Sequence, residues 1–439
     1  MQVAVIGAGI VGVTTAYELA ADGHEVTVFE RRASVAAESS FANAGVVAPG
    51  YVTPWAAPGM PGKVLRQLMS DHAAVRLSRP FSPRLLGWAW RWWRACDSTR
   101  YQAHRGHLIR LARYSQERLH ALTRAHQLEY DQAPGLTVLL RTERDLKLAR
   151  PGMKLLADLG VTFRLIDAAQ ARVHEPGLSE EAPLHAALHL PNEEVGNCRQ
   201  FAHLLRHEAQ RLGAMFRFHR QVERIEPGDK PVLRHRPLAH LDPSQLPGVE
   251  HLTTQPEPEG SESFDAVVVC AALDSRALLR PLGLRLPMAP VHGYSVTVPL
   301  RHGGEDRGLG PRSTLMDEQY KVAISRLGKR VRVAGSAELG GHPDTHNEAA
   351  IATLYKVLDD WFPGCAVQSQ AQAWKGARPM LPDGPPIIGK SAVAGVWLNL
   401  GHGSSGWALS CGSARLLADQ LAGRAPAIDA AGFGAERLR

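Results

Sequence analysis

MQVAVIGAGIVGVTTAYELAADGHEVTVFE, residues 1–30, holds an apolar run, then Gly7-x-Gly9-x-x-Gly12, a helical pattern, a second apolar run and a terminal Glu30. That order predicts a strand–helix–strand unit that binds a dinucleotide. Gly7 suits a tight turn, Gly9 lets the backbone approach a pyrophosphate, and Gly12 allows close helix packing, with the phosphates over the helix N-terminus. Glu30 ends the second strand, where a carboxylate accepts from ribose hydroxyls and repels a 2′-phosphate. A free ribose is therefore favoured over NADP.

Working outward, 439 residues exceed one compact core and predict two packed domains. No apolar stretch approaches the roughly 18 uncharged residues of a membrane-spanning helix. The first residues enter a strand without a basic n-region, so a secretory signal is not expected. Cys96, Cys198, Cys270, Cys365 and Cys411 are scattered without a C-x-x-C pair, which suits free thiols in a reducing compartment. A net charge of +7 comes from dispersed arginines with no basic helix or RNA-binding signature, so nucleic acid is not an expected partner. An anionic membrane surface is a better candidate. In residues 84–94, Trp88, Trp90, Trp92 and Trp93 alternate with Arg84, Arg91 and Arg94, either as interfacial anchors or as a buried helix with snorkelling arginines. His185/His189 and His203/His207 have helical ligand spacing but no third ligand, and no metal site is expected.

Periodicity predicts a helix pair over about 80–130, helix then strand over 195–222, a buried parallel strand from Phe264, and antiparallel strands over Val291–Pro299 and Tyr320–Ala334. The proline-rich stretch 226–263 reads as a surface insertion of little core value. Near the other end, Gly401-His402-Gly403-Ser404-Ser405-Gly406 follows an apolar strand and opens a helix. Its unpaired N–H groups offer positive potential. A flavin uses such a feature, because reduction places negative charge on the pyrimidine edge of its ring. Two anion-binding helix ends therefore point to FAD. The fold class expected is α/β: a Rossmann-like FAD-binding domain (1–50, 145–285 and 376–430) interleaved with an α+β substrate domain (51–144 and 286–375) carrying an antiparallel sheet. Arg378, held between Gly376 and Pro379 in KGARPMLPDG, could grip a carboxylate through its planar fork, or serve as a structural partner of Asp383.

Several long stretches carry a family resemblance: NAGVVAPGYVTPWAAPG (43–59), RLARYSQERLHAL (110–122), LPNEEVGNCRQF (190–201), HGYSVTVP (292–299), DEQYKVAISRLGKRVRVAGSAELGG (317–341), WKGARPMLPDGPPIIG (374–389) and NLGHGSSGWALSCGSARLLADQLAGR (399–424). With the opening unit they make the chain resemble the small-subunit type of FAD-dependent D-amino-acid dehydrogenase, within the glycine oxidase and D-amino-acid oxidase family. The resemblance implies that Arg378 binds the substrate carboxylate and Tyr320 assists it. Asn43 and Gly45 pass close to the flavin, Val222 meets the adenine, and Gly401, Gly403, Ser404 and Ser405 lie beside the pyrimidine edge. Val3, Ala4, Val5, Ile6, Gly7, Ala8, Gly9, Ile10, Val11, Gly12, Val13, Thr14, Tyr17 and Glu30 complete the expected cofactor-binding set. The sequence departs from the family at Cys270-Ala271-Ala272, where a glycine is usual, and in the length of the proline-rich insertion.

The implied activity is oxidation of a D-amino acid, D-alanine by default, to a 2-oxo acid and ammonia, with electrons passed to a respiratory quinone or another carrier. A hydride leaving Cα requires a neutral amine, and His402 is the one candidate to handle its proton. The implied location is the cytoplasmic side, soluble or peripheral on the inner membrane. A secondary amine such as D-proline, a hydroxyproline isomer or sarcosine is an alternative substrate. A non-catalytic FAD-binding subunit is the alternative from another class.

Overall fold

In strand Gln2–Ile6, Val3 and Val5 point to one face and Ala4 and Ile6 to the other, the alternation that a pleated strand imposes. Both faces are covered, which is why the strand is apolar throughout. In the computed structural model, which describes residues 1–67, 72–238, 259–301 and 309–438, this strand lies inside a six-stranded sheet. The order is Ile387–Lys390, Val396–Leu400, Ala266–Val269, Gln2–Ile6, Glu25–Phe29 and Met215–Arg217. All neighbours are parallel except the first pair. Val3 and Val5 meet a helical layer built from Ile10–Ala21, Ser98–His126, Cys198–Arg211 and Gly406–Leu421. Ala4 and Ile6 meet Val222, Ile225 and Leu233 of a three-stranded sheet.

A buried ion cluster ties the helical layer together. The Glu18 carboxylate, fully enclosed, accepts from Arg118 Nε at 2.6 Å and from Arg415 at 2.9 Å, and Arg415 also reaches Asp22 and Asp419. These residues come from three helices far apart in sequence. Fork-to-carboxylate pairing fixes their relative rotation as well as their distance.

The second layer is a ten-stranded mixed sheet. Next to one edge, Ala289–Pro299 pairs antiparallel with Arg330–Gly340 on one side and with the edge strand Gln372–Met380 on the other. Tyr294, Val296 and Val298 pack under helix Glu348–Trp361. The alternate positions, Val291, Gly293, Ser295 and Thr297, face the nucleotide-binding half. Ala133–Leu140 and Ala186–Val195 also belong to this sheet, so residues 164–195 lie with the substrate sheet rather than with the cofactor sheet where the sequence had placed them. Conversely, helix Ser98–His126 packs on the cofactor side.

Two further expectations change. Around the proline-rich stretch, Val232–Pro237 and Gly260–Ser263 form two strands of the three-stranded sheet, and Leu233 is fully buried. The flanks therefore contribute core, while 239–258 lie outside the described residues. Helix Pro83–Ala95 divides its tryptophans by face. Trp88 and Trp92 are buried, stacked on one another with Trp55 tilted against both, and Trp88 Nε1 donates to the Met380 carbonyl at 2.9 Å. Trp90 and Trp93 are 58% and 54% exposed. Among the described residues no helix is long and apolar enough to cross a membrane.

Candidate active site

The two sheets enclose a cavity of about 920 Å³ that runs from the glycine turn after the first strand to the strand carrying Arg378. Its nucleotide end is built as the spacing predicts. Gly7, Gly9, Ile10 and Val11 line it, with Glu30 and Val222 opposite. Glu30 accepts backbone N–H bonds from Ala8 at 2.7 Å and Arg32 at 2.8 Å, which hold the carboxylate in place and leave acceptor capacity for a ligand hydroxyl. Burial pushes its pKa up. Gly12 works at closer range than packing on the sheet requires: a Cβ there would lie 1.9 Å from the Gly7 carbonyl oxygen, so the glycine lets the helix begin directly beneath the turn.

Val3, Ala4, Val5, Ala8, Gly12, Val13, Thr14 and Tyr17 do not line this cavity. They form the buried support for the turn; Thr14 Oγ1 bonds back to the Ile10 carbonyl, and Tyr17 OH is 2.6 Å from His126. Ile6, Gly7, Gly9, Ile10 and Val11 are the part of the unit open to a ligand.

Two helices aim their N-termini at the cavity. Helix Ile10–Ala21 follows Gly9 and helix Gly406–Leu421 follows Ser405, and neither cap residue supplies a side-chain hydrogen bond. Gly401, Gly403, Ser404 and Ser405 line the second entrance. Ser40, which sequence reasoning missed, supplies Oγ to the Ile10 N–H at 3.1 Å. Between the helix ends runs the segment 39–45, clamped by both halves of the molecule. Ser295 Oγ donates to Ala42 O at 2.7 Å, Arg332 to Asn43 O at 3.0 Å and Ser325 Oγ to Ala44 O at 2.8 Å. Asn43 Oδ1 accepts from Gly45 N at 3.0 Å, and Trp407 Nε1 donates to Gly45 O at 3.1 Å. Two helix N-termini whose own cap residues supply no side-chain bond, a fixed acceptor at Glu30 and this clamped backbone suit a long anionic dinucleotide.

Arg378 stands on the far wall. Its NH1 donates to the Ser336 carbonyl at 2.9 Å, and among the described residues no carboxylate lies within ion-pairing distance. Asp383, the structural partner considered from sequence, pairs instead with Arg437 at 2.8 Å. Arg378 is half-buried at the cavity wall, and the protein around it holds its pKa down to about 10. It remains cationic at neutral pH. Gly293 makes room for it: a Cβ at that position would fall 2.3 Å from Arg378 NH2.

Two expected catalytic residues are placed differently. Tyr320 does not line the cavity; its ring lies 5.0 Å from the Arg141 guanidinium and packs against the helix-covered side of the sheet. The next residue, Lys321, takes φ +54° and does line the cavity, so the turn presents Lys321 rather than Tyr320 to the cleft. His402 does line the cavity, but its Nε2 is 3.0 Å from Ser413 Oγ, and burial holds its pKa down to about 3. The ring is neutral and engaged, so it is a structural member of the turn rather than a proton handler. Ala272 lines the cavity with φ +45°, a left-handed conformation that costs a side chain roughly 1 kcal/mol or more.

A family model described as FAD dependent oxidoreductase, DAO, matches residues 2–420. The chain belongs to the DAO family of FAD-dependent oxidoreductases. This DAO-family chain is 42% identical over 439 residues to a protein of Cereibacter sphaeroides named D-amino acid dehydrogenase, covering all of this chain and 95% of that one. It is 39% identical to a protein of the same name from Rhizorhabdus wittichii, with full coverage of both. Among solved structures it is similar to glycine oxidase from Geobacillus kaustophilus, with a TM-score of 0.71 and 19% identity over 99% of this chain and 98% of that one. That likeness extends the DAO fold to the whole chain.

Proposed function

We propose that this protein oxidises D-amino acids to 2-oxo acids and ammonia, with Arg378 gripping the substrate carboxylate. One observation carries the reading: a guanidinium at the wall of the large cavity, without a carboxylate partner among the described residues, facing the space between the two sheets. Full-length relatives named D-amino acid dehydrogenase support the substrate class. FAD would lie along Gly7, Gly9, Ile10, Val11, Glu30, Asn43, Gly45, Val222 and the turn Gly401–Ser405, and when bound it supplies a two-electron acceptor. The helix N-terminus at Gly406 would place positive potential beside that acceptor.

His402, the expected proton handler, is not suited to remove a proton. His402 is neutral and hydrogen bonded, and the Tyr51 hydroxyl donates to Glu318 Oε2 at 2.7 Å. A hydride leaving Cα requires the amine to be neutral, and the contribution proposed for the protein is orientation. The Arg378 fork fixes two carboxylate oxygens and, together with the pocket that takes the substrate side chain and the plane of the acceptor, sets which hydrogen on Cα faces that acceptor. The electrons pass to a quinone or another carrier other than oxygen. Peripheral membrane contact through the outer face of helix Pro83–Ala95 fits that role, with Trp90, Trp93 and Leu86 exposed beside Arg91 and Arg94. Trp88 and Trp92 are not part of that contact, because they are core residues.

Anaerobic titration with D-alanine, L-alanine and D-proline, following the oxidised flavin band, tests the reading. Bleaching by D-alanine and not by L-alanine is expected. Bleaching by D-proline alone would move the substrate to secondary amines, and a flavin that no amine bleaches would overturn the proposal.

A further inference from the structure

A second, smaller cavity of about 380 Å³ lies on the other side of the wall formed by Ala42 and Trp374, which line both spaces. It is roofed by the first turn of helix Cys198–Arg211 and floored by the ten-stranded sheet. Its charges are unbalanced. Arg199, Arg330 and Arg332 reach it, with His203 at the edge, and Asp131 is the one carboxylate among the residues lining it. Asp131 stands 3.9 Å from Arg330, at the margin of ion pairing, and accepts from Asn197 Nδ2 at 3.1 Å.

Arg332 is the decisive residue. It is only 6% exposed and makes two neutral hydrogen bonds, from Nε to Thr297 Oγ1 at 2.9 Å and from NH1 to Asn43 O at 3.0 Å. No carboxylate lies within ion-pairing distance of it among the described residues. A guanidinium has five N–H donors, and burying one without an anion is costly unless a charge is supplied from outside. Nearby, the Arg199 guanidinium carbon lies 4.2 Å from the Phe41 ring centre, and among the described residues neither its buried Nε nor the buried Gln200 Oε1 has a hydrogen-bond partner. Burial also holds the Arg332 pKa down to about 10.

We propose that this second cavity is an oxyanion site, taking a small carboxylate or phosphate compound between Arg332, Arg199 and Arg330, separate from the Arg378 cavity. The planar forks match either group, and bidentate contact to a buried arginine gives the selectivity over chloride that a diffuse basic surface lacks.

The test is calorimetric titration of the FAD-bound protein with inorganic phosphate in one arm and malonate in the other, which separates the two sources of the anion. Saturable binding of at least one is expected, weakened about tenfold or more in Arg199→Gln and in Arg330→Gln, about 1.4 kcal/mol by the usual conversion. These two residues reach the cavity from its rim, so the variants fold even if Arg332→Gln does not. Arg378→Lys should leave the phosphate binding unchanged. Absence of saturable binding by both anions overturns the proposal, as does binding that survives both rim substitutions or phosphate binding that is lost in Arg378→Lys. None of these readouts depends on turnover, so a failure here is distinct from a failure of the substrate assignment.

Discussion

Arg378 shows how one side chain is made available for chemistry. Its neighbours set the backbone, Gly293 clears the space and Ser336 O holds one end of the fork. Arg378→Lys keeps the charge but loses the second donor pair, and we expect KM for the D-amino acid to rise by about 30-fold to 1000-fold, roughly 2–4 kcal/mol. Gly293→Ala should raise KM in the same direction with Arg378 intact, because the added methyl occupies the guanidinium's place. An unchanged KM in both variants would remove this wall from the substrate site. Arg378 could be read from sequence because glycine and proline beside an arginine already mark a stiff, irregular backbone. Gly293 could not, since its role depends on a cross-strand register with Gly376 set by folding. A different residue prediction concerns Glu193, 5% exposed, with Oε1 accepting from Gly50 N at 3.1 Å and Oε2 unpartnered. Burial raises its pKa from 4.5 to about 7. A carboxyl with a raised folded pKa holds its proton more tightly in the folded state, so the contribution is full at low pH and is lost as pH rises from 4.5 through 7. Denaturant melts of wild type and Glu193→Gln should diverge by about 1–3 kcal/mol between roughly pH 5 and pH 8, the variant being the flatter. Parallel curves would show that the carboxyl titrates normally.

At the scale of elements, what the sequence reveals depends on how local the determining contacts are. The opening strand–helix–strand unit is local, and its alternation, glycines and Glu30 could all be read in thirty residues. The assignment of Ala186–Val195 to the substrate sheet is not local. It follows from pairing with Ala133–Leu140, and an apolar strand carries no mark of which sheet it will join. Helix Pro83–Ala95 is intermediate: periodicity predicts the helix, while the division of its tryptophans follows from Trp55 and Met380 closing over one face. That division gives a sharp expectation. Replacing Trp90 and Trp93 by alanine should abolish co-flotation with anionic vesicles while leaving the melting temperature nearly unchanged, because both rings are largely in solvent. Replacing Trp88 or Trp92 should destabilise the fold by about 3–5 kcal/mol, the range for large aromatic side chains removed from cores. Equal flotation of wild type and the Trp90/Trp93 variant would remove this face as a membrane contact.

At the scale of the molecule, the cofactor sheet takes strands from Gln2–Ile6 through to Val396–Leu400, and the Glu18, Arg118 and Arg415 cluster locks the helices that flank it. The substrate sheet is strung between these segments and reaches across the cleft to clamp residues 42–44. Neither half is a contiguous piece of chain, so neither can unfold without pulling strands from the other. FAD binding should therefore stabilise the whole protein as one unit. With free FAD near one hundred times its dissociation constant, ligand linkage contributes about 2.7 kcal/mol. An unfolding entropy of about 2.1 cal/mol/K per residue over 439 residues converts that to a rise in melting temperature of about 3 °C. Calorimetry of the FAD-stripped and reconstituted protein should show one transition that moves by about this amount as a whole. Two transitions of which FAD moves only one would mean that the interleaved halves are energetically independent, and the clamp on residues 42–44 would then be a contact without cooperative consequence.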